Sequence, residues 1–268
     1  MIQKIKQNVL YHPLFLIFIH PLSFILFGTV FALQFAKFNW IYFTLFYVFI
    51  LSTQFIENIL NNTIKTQQKL KLMPLIIFEG LVILLLFYFS LHLNYLVGLL
   101  MFGYLFIIHF QFYPYDLSKT LYGFILNGLF KGGILTYLAF FIQTQFITTT
   151  LYYWSVPLII LASFISFGRQ CVPILEQPAQ RKRNQLYFLL MLTLLYLSMF
   201  IPVISLSSGT KYLWLQLLSL PFALRLMLIM KPNQDNYTST TKLKALTLFN
   251  FSYILLASMS ILLQILWK

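Results

Sequence analysis

Apolar stretches separated by short polar segments run the whole length of the chain. Nine stretches, at 13–35, 40–61, 74–92, 95–112, 121–142, 152–173, 185–206, 212–230 and 245–267, are apolar on all sides rather than on one face. Each is roughly 18–23 residues long, enough for a helix to cross the hydrocarbon of a bilayer. The connections between them are short, so the pattern predicts one helical bundle over 1–268 with no separate soluble domain. The expected fold class is an all-α integral membrane protein with nine transmembrane helices. No internal repeat stands out, which argues against an inverted-repeat transporter.

One stretch breaks the apolar pattern from within. Gln54, Glu57, Asn58, Asn61, Asn62, Lys65, Gln68 and Lys69 recur at i, i+3, i+4 and i+7, so on a helix they share a face. Unpaired polar groups in hydrocarbon cost several kcal/mol each. A stripe that starts at Gln54, well inside the second span, is therefore expected to face a cavity, a neighbouring helix or a polar ligand.

Composition agrees with the pattern: 60% of residues are hydrophobic and 9% charged. A soluble domain of this size cannot bury that much apolar surface. The net charge of +13 does not signal nucleic-acid binding, because the basic residues sit in short loops between spans rather than on one compact face. With the N-terminus in the cytoplasm, 14 of the 18 Lys and Arg fall on the inner side, which sets the orientation. Lys4 and Lys6 precede an apolar run too long for a signal peptide, with no small-residue cleavage site, so the run is expected to stay as the first span. The single cysteine, Cys171, excludes an internal disulfide framework and a cysteine metal cage.

Several short texts carry a resemblance. They are Asn58-Ile-Leu-Asn61-Asn62-Thr-Ile-Lys65 after the second span, and Tyr113-Pro-Tyr-Asp116-Leu-Ser-Lys119-Thr-Leu-Tyr-Gly123 before the fifth. Further on come Phe130-Lys131-Gly132-Gly133, Phe141-Ile-Gln143-Thr144 and Leu220-Pro221-Phe222-Ala223. With nine spans and polar loops after the second and sixth, the chain resembles the UbiA superfamily of intramembrane prenyltransferases, closest to its naphthoate (menaquinone-type) branch. The resemblance implies a helical bundle around a cytoplasm-facing cavity in a bacterial plasma membrane. It also implies a prenyl diphosphate as substrate and prenyl transfer to an aromatic or lipid acceptor.

The departures from that family are chemical. It holds Mg²⁺ on two Asp-rich motifs, but the acidic positions of the first read Asn62 and Lys65 here. The second, expected near Gly168-Arg169-Gln170-Cys171, has Gln170 about where its first Asp would stand. Mg²⁺ needs hard, mostly anionic oxygen ligands, and a lysine in that place repels it. Mg²⁺ is therefore not expected as a cofactor. Three readings follow. Cations take over from the metal, with Lys65, Lys119, Lys131 and Arg169 holding the diphosphate while Asn58, Asn61, Asn62 and Gln170 orient it. Alternatively, the fold persists as a non-catalytic binder of a lipid or partner. Or the likeness is bundle convergence, and the chain is an immunity-type membrane protein or small permease.

Other residues are weighed individually. Lys131 lies about ten residues into the fifth span, where a lysine is costly and marks a site unless it snorkels or is paired. Glu79 is expected to pair with a lysine on a neighbouring helix. Ser163 and Ser166 fit helix packing. His20 and His109 have no carboxylate beside them in sequence and are not expected to bind metal. Arg181, Lys182 and Arg183 read as an anchor to anionic lipid.

Overall fold

The computed structural model describes residues 13–66, 70, 72–113, 116–117, 120–174, 181–205, 213–230 and 238–267, and among these every regular element is a helix. The order is α1 (Pro13–Ala32), α2 (Trp40–Thr66), α3 (Leu72–His92), α4 (Tyr95–Phe110) and α5 (Leu121–Asn127). A π-helical segment (Gly128–Ile134) follows without a break, then α6 (Leu135–Thr144), α7 (Thr149–Ile174), α8 (Arg181–Ser198) and α9 (Phe200–Ser205). A 3₁₀ segment (Leu213–Ser219), α10 (Leu220–Ile229) and α11 (Ser239–Leu266) complete the chain.

Seven of these helical runs are long and apolar enough to cross a membrane. The other two apolar stretches form shorter helices, Tyr95–Phe110 and Trp214–Ile229. Helix ends follow local chemistry. The Asn94 side chain accepts the Leu96 N–H at the start of α4, and Thr120 accepts from Gly123 N–H at the start of α5. Gln145, with φ 61°, closes α6 in the left-handed region. Asn39 caps α2 by accepting from Ile41 and Tyr42 N–H, both at 3.1 Å.

The expected spans fall on helices, with three physical differences. The second span runs on to Thr66, so the polar stripe is helical for most of its length. The fifth contains the π-helical segment, and the eighth begins as a 3₁₀ helix. Neither change of helix type leaves a mark in apolar periodicity.

Two buried clusters form the core. One joins α2, α3, α4 and α6 through Phe46, Phe49, Val82, Phe89 and Met101, and the other joins α7, α8, α10 and α11 through Trp154, Phe164, Leu195, Leu226 and Phe249. Helices α1 and α6 contribute to both, so this pair is the spine of the bundle. Ile76, Ile77, Leu84, Phe87 and Leu91 of α3 point outward. On an apolar helix in a membrane such a row faces lipid.

Candidate functional site

The bundle buries a polar cluster in its interior. Glu57 lies nine residues before the end of α2, and Lys131 ten residues after the start of α5. At 1.5 Å per residue both sit about 13–15 Å from their helix ends, well within the apolar runs. They meet there: Lys131 Nζ donates to both carboxylate oxygens of Glu57, each at 2.7 Å. Both side chains are largely buried, at 10% and 18% exposed. The Lys131 charge is therefore neutralised in place rather than carried to the interface by snorkelling.

The local fold explains why Lys131 can sit there. It lies in the π-helical segment, which packs its glycines against α7. A side chain on Gly132 would run into the backbone of Leu158 and Ile159, so this close approach requires glycine. π-Segments shift the register of the residues that follow and often occur at functional positions.

Arg169 and His20 complete the cluster. Arg169, half-buried on α7, is close enough to Glu57 for the two charges to interact. His20, on α1, is 3% exposed and feels the charges of both Arg169 and Lys131. Gln54 lies close enough to His20 to act on its ring as a hydrogen-bonding side chain, although neither ring nitrogen nor Gln54 Oε1 reaches full hydrogen-bond geometry. Among the described residues two cations, Lys131 and Arg169, act on one carboxylate here, an excess of positive charge.

The polar stripe divides. Gln54 and Glu57 turn inward, and Asn61 is half-buried, whereas Asn58 and Asn62 are exposed. Lys65 is in the last turn of α2 and Gln170 in α7, with their side chains outside the described residues, where Lys119 also lies. Thus Lys131 and Arg169 come together, and Asn61 lies one turn along α2 from Glu57. Glu79, expected to meet a lysine, pairs among the described residues with His109, Oε1 to Nε2 at 3.0 Å. Gln143 binds the Asn39 backbone from both sides of its amide, at 2.8 and 3.2 Å. It thereby locks the α1–α2 connection to the far end of α6, away from Lys131. Sequence reasoning weighed His20 only as a metal ligand, rejected that role and assigned it no other. Its position next to Pro21 in an apolar span was the available signal.

A second feature lies on the other flank of α2. A groove of about 590 Å³ runs between α2 and α4, lined by Leu60, Thr63, Ile64, Phe106, Phe110 and Tyr113. Its walls are apolar and aromatic, and the His109–Glu79 pair borders it.

The metal implied by the family resemblance does not fit this donor set. Among the described residues no group of three His, Cys, Asp or Glu side chains converges. The carboxylate nearest the cluster, Glu57, has both oxygens on Lys131, with Arg169 beside it. A divalent cation would have to displace an ammonium and sit against a guanidinium. No family model, curated protein or solved structure matches the chain.

Proposed function

We propose that the protein is a UbiA-like membrane protein of nine spans that binds a prenyl diphosphate from the cytoplasmic side without Mg²⁺. The observation that carries this reading is the cationic excess among the described residues of the bundle, buried Lys131 and half-buried Arg169 against Glu57. A net positive interior at membrane depth is costly unless an anion completes it. The amides along α2, above all Asn61, supply neutral donors toward the same end. The aromatic groove on the neighbouring flank of α2 suits an isoprenoid tail entering sideways from the bilayer. When an aromatic or lipid acceptor is present, the reaction is prenyl transfer. The carbon–oxygen bond to diphosphate breaks, the acceptor bonds to the prenyl carbon and loses a proton to water, and the cations stabilise the departing diphosphate. The Lys131–Glu57 pairing favours a second reading, in which the same site binds its lipid without chemistry, because one of the two cations is already compensated.

The test is prenyl-diphosphate binding to the purified protein in nanodiscs, with Mg²⁺ and then with EDTA. Binding that survives EDTA and weakens at least tenfold in Arg169→Ala supports the cation-built site. Absence of binding in both conditions overturns the reading and leaves a non-catalytic membrane protein. Product formation with an aromatic acceptor separates transferase from binder.

A further inference from the structure

Behind the ion pair, between α1, the π-helical segment, α7 and α11, lies an interior cavity of about 10 Å³. Its polar lining is Ser23, Lys131, Thr136 and Asn250, and Leu161 and Ile254 are among its apolar walls. The volume is about what a single water molecule needs and too small for anything larger.

The hydrogen-bond inventory of that lining is unbalanced in a particular way. An ammonium has three protons, and Lys131 places two on Glu57. Ser23 gives its only hydroxyl proton to the His20 carbonyl at 2.7 Å. Its oxygen can then only accept, and it accepts from Asn250 Nδ2 at 2.7 Å. In this assignment the Asn250 amide turns Nδ2 toward Ser23, and the reverse orientation would require the Ser23 hydroxyl to leave the His20 carbonyl. Asn250 Oδ1 is consequently left without a partner on a residue that is 0% exposed. Thr136 has likewise given its proton to the Gly132 carbonyl at 2.7 Å and can only accept.

Around the cavity there remain one donor, the third Lys131 proton, and acceptors on Asn250 and Thr136. We propose that this cavity binds one water molecule, which accepts from Lys131 and donates to Asn250 Oδ1 and to Thr136 Oγ1. A metal cation is excluded by the ammonium in the wall. An anion is excluded by acceptors that have no proton to offer it. Water alone brings both the acceptor and the two donors that are missing, and a bilayer interior offers no bulk solvent to do so instead. The bound water extends the ion pair between α2 and the π-helical segment to the Ser23–Asn250 pair, linking the second and fifth spans to the first and last. The site stands independently of the prenyl-diphosphate reading, since none of its geometry depends on a lipid ligand.

Millisecond X-ray hydroxyl-radical labelling of the full-length protein in nanodiscs, read by mass spectrometry, tests it. An immobilised water is activated where it sits and marks adjacent side chains that bulk radicals do not reach. Phe24 and Ile254, which line the cavity, should be labelled at least fivefold faster than Phe188 and Ile165, which are of the same residue types and similarly buried but lie elsewhere. Asn250→Leu should abolish the difference. Where that variant fails to fold, the gentler Thr136→Val, which keeps the shape but removes one acceptor, should at least halve it. Equal labelling of Phe24, Ile254 and the control residues in the wild-type protein would overturn the proposal, as would labelling unchanged by either folded variant.

Discussion

Lys131 and Glu57 depend on each other more than either contributes alone. Taking two charges out of water costs several kcal/mol per ion, and their attraction in the interior offsets this only while both are present. Replacing Lys131 by Met is expected to destabilise the protein by about 3 kcal/mol, because Glu57 is left buried without a counter-charge. Glu57→Met should cost a similar amount. The double replacement should cost less than either single one, and SDS-titrated unfolding of the four proteins would reveal it. Additive losses would mean that the pair is not coupled. The sequence announced Lys131 as a site residue through its depth, yet it did not announce its partner. Glu57 read as one member of a polar stripe, and nothing along a single chain reveals which residue 74 positions away a lysine will meet. Asn58 and Asn62 show the reverse case. Their spacing puts them on the inward side of an ideal helix, but the stripe is wider than the contact, and its edge remains exposed.

At the level of helices, the apolar periodicity located nearly every element, because a span must satisfy its own backbone and therefore stay helical from end to end. What it missed were changes of helix type. The π-helical turn at Gly128–Ile134 depends on the close approach of α7 to Gly132, which is a tertiary fact. Two glycines make that dependence measurable. Gly132→Ala should lower stability by about 1–3 kcal/mol, since its methyl group meets backbone atoms that cannot move aside. Gly80→Ala on α3 has nothing within 4 Å to meet and should be neutral or slightly stabilising, as alanine is the better helix former. Thermal unfolding in one detergent would separate the two, and equal effects would contradict the packing described for the π-helical segment.

For the molecule as a whole, the distribution of Lys and Arg carries the prediction. The connection at 145–148 between α6 and α7 should lie outside, and residue 120 at the start of α5 should lie on the cytoplasmic side. In a Cys171→Ser background, a cysteine introduced at Gln145 should react with a membrane-impermeant maleimide applied to intact cells. One introduced at Thr120 should react only after the membrane is opened. The opposite pattern would reverse the proposed orientation and with it the supply side of the proposed substrate. The order of synthesis gives the buried ion pair one more meaning. Glu57 leaves the ribosome 74 residues ahead of Lys131, so α2 is made long before its counter-ion exists. Until the π-helical segment is made, that carboxylate has no Lys131 to meet, so the pair joins α2 to the later half of the fifth span only after both have been synthesised.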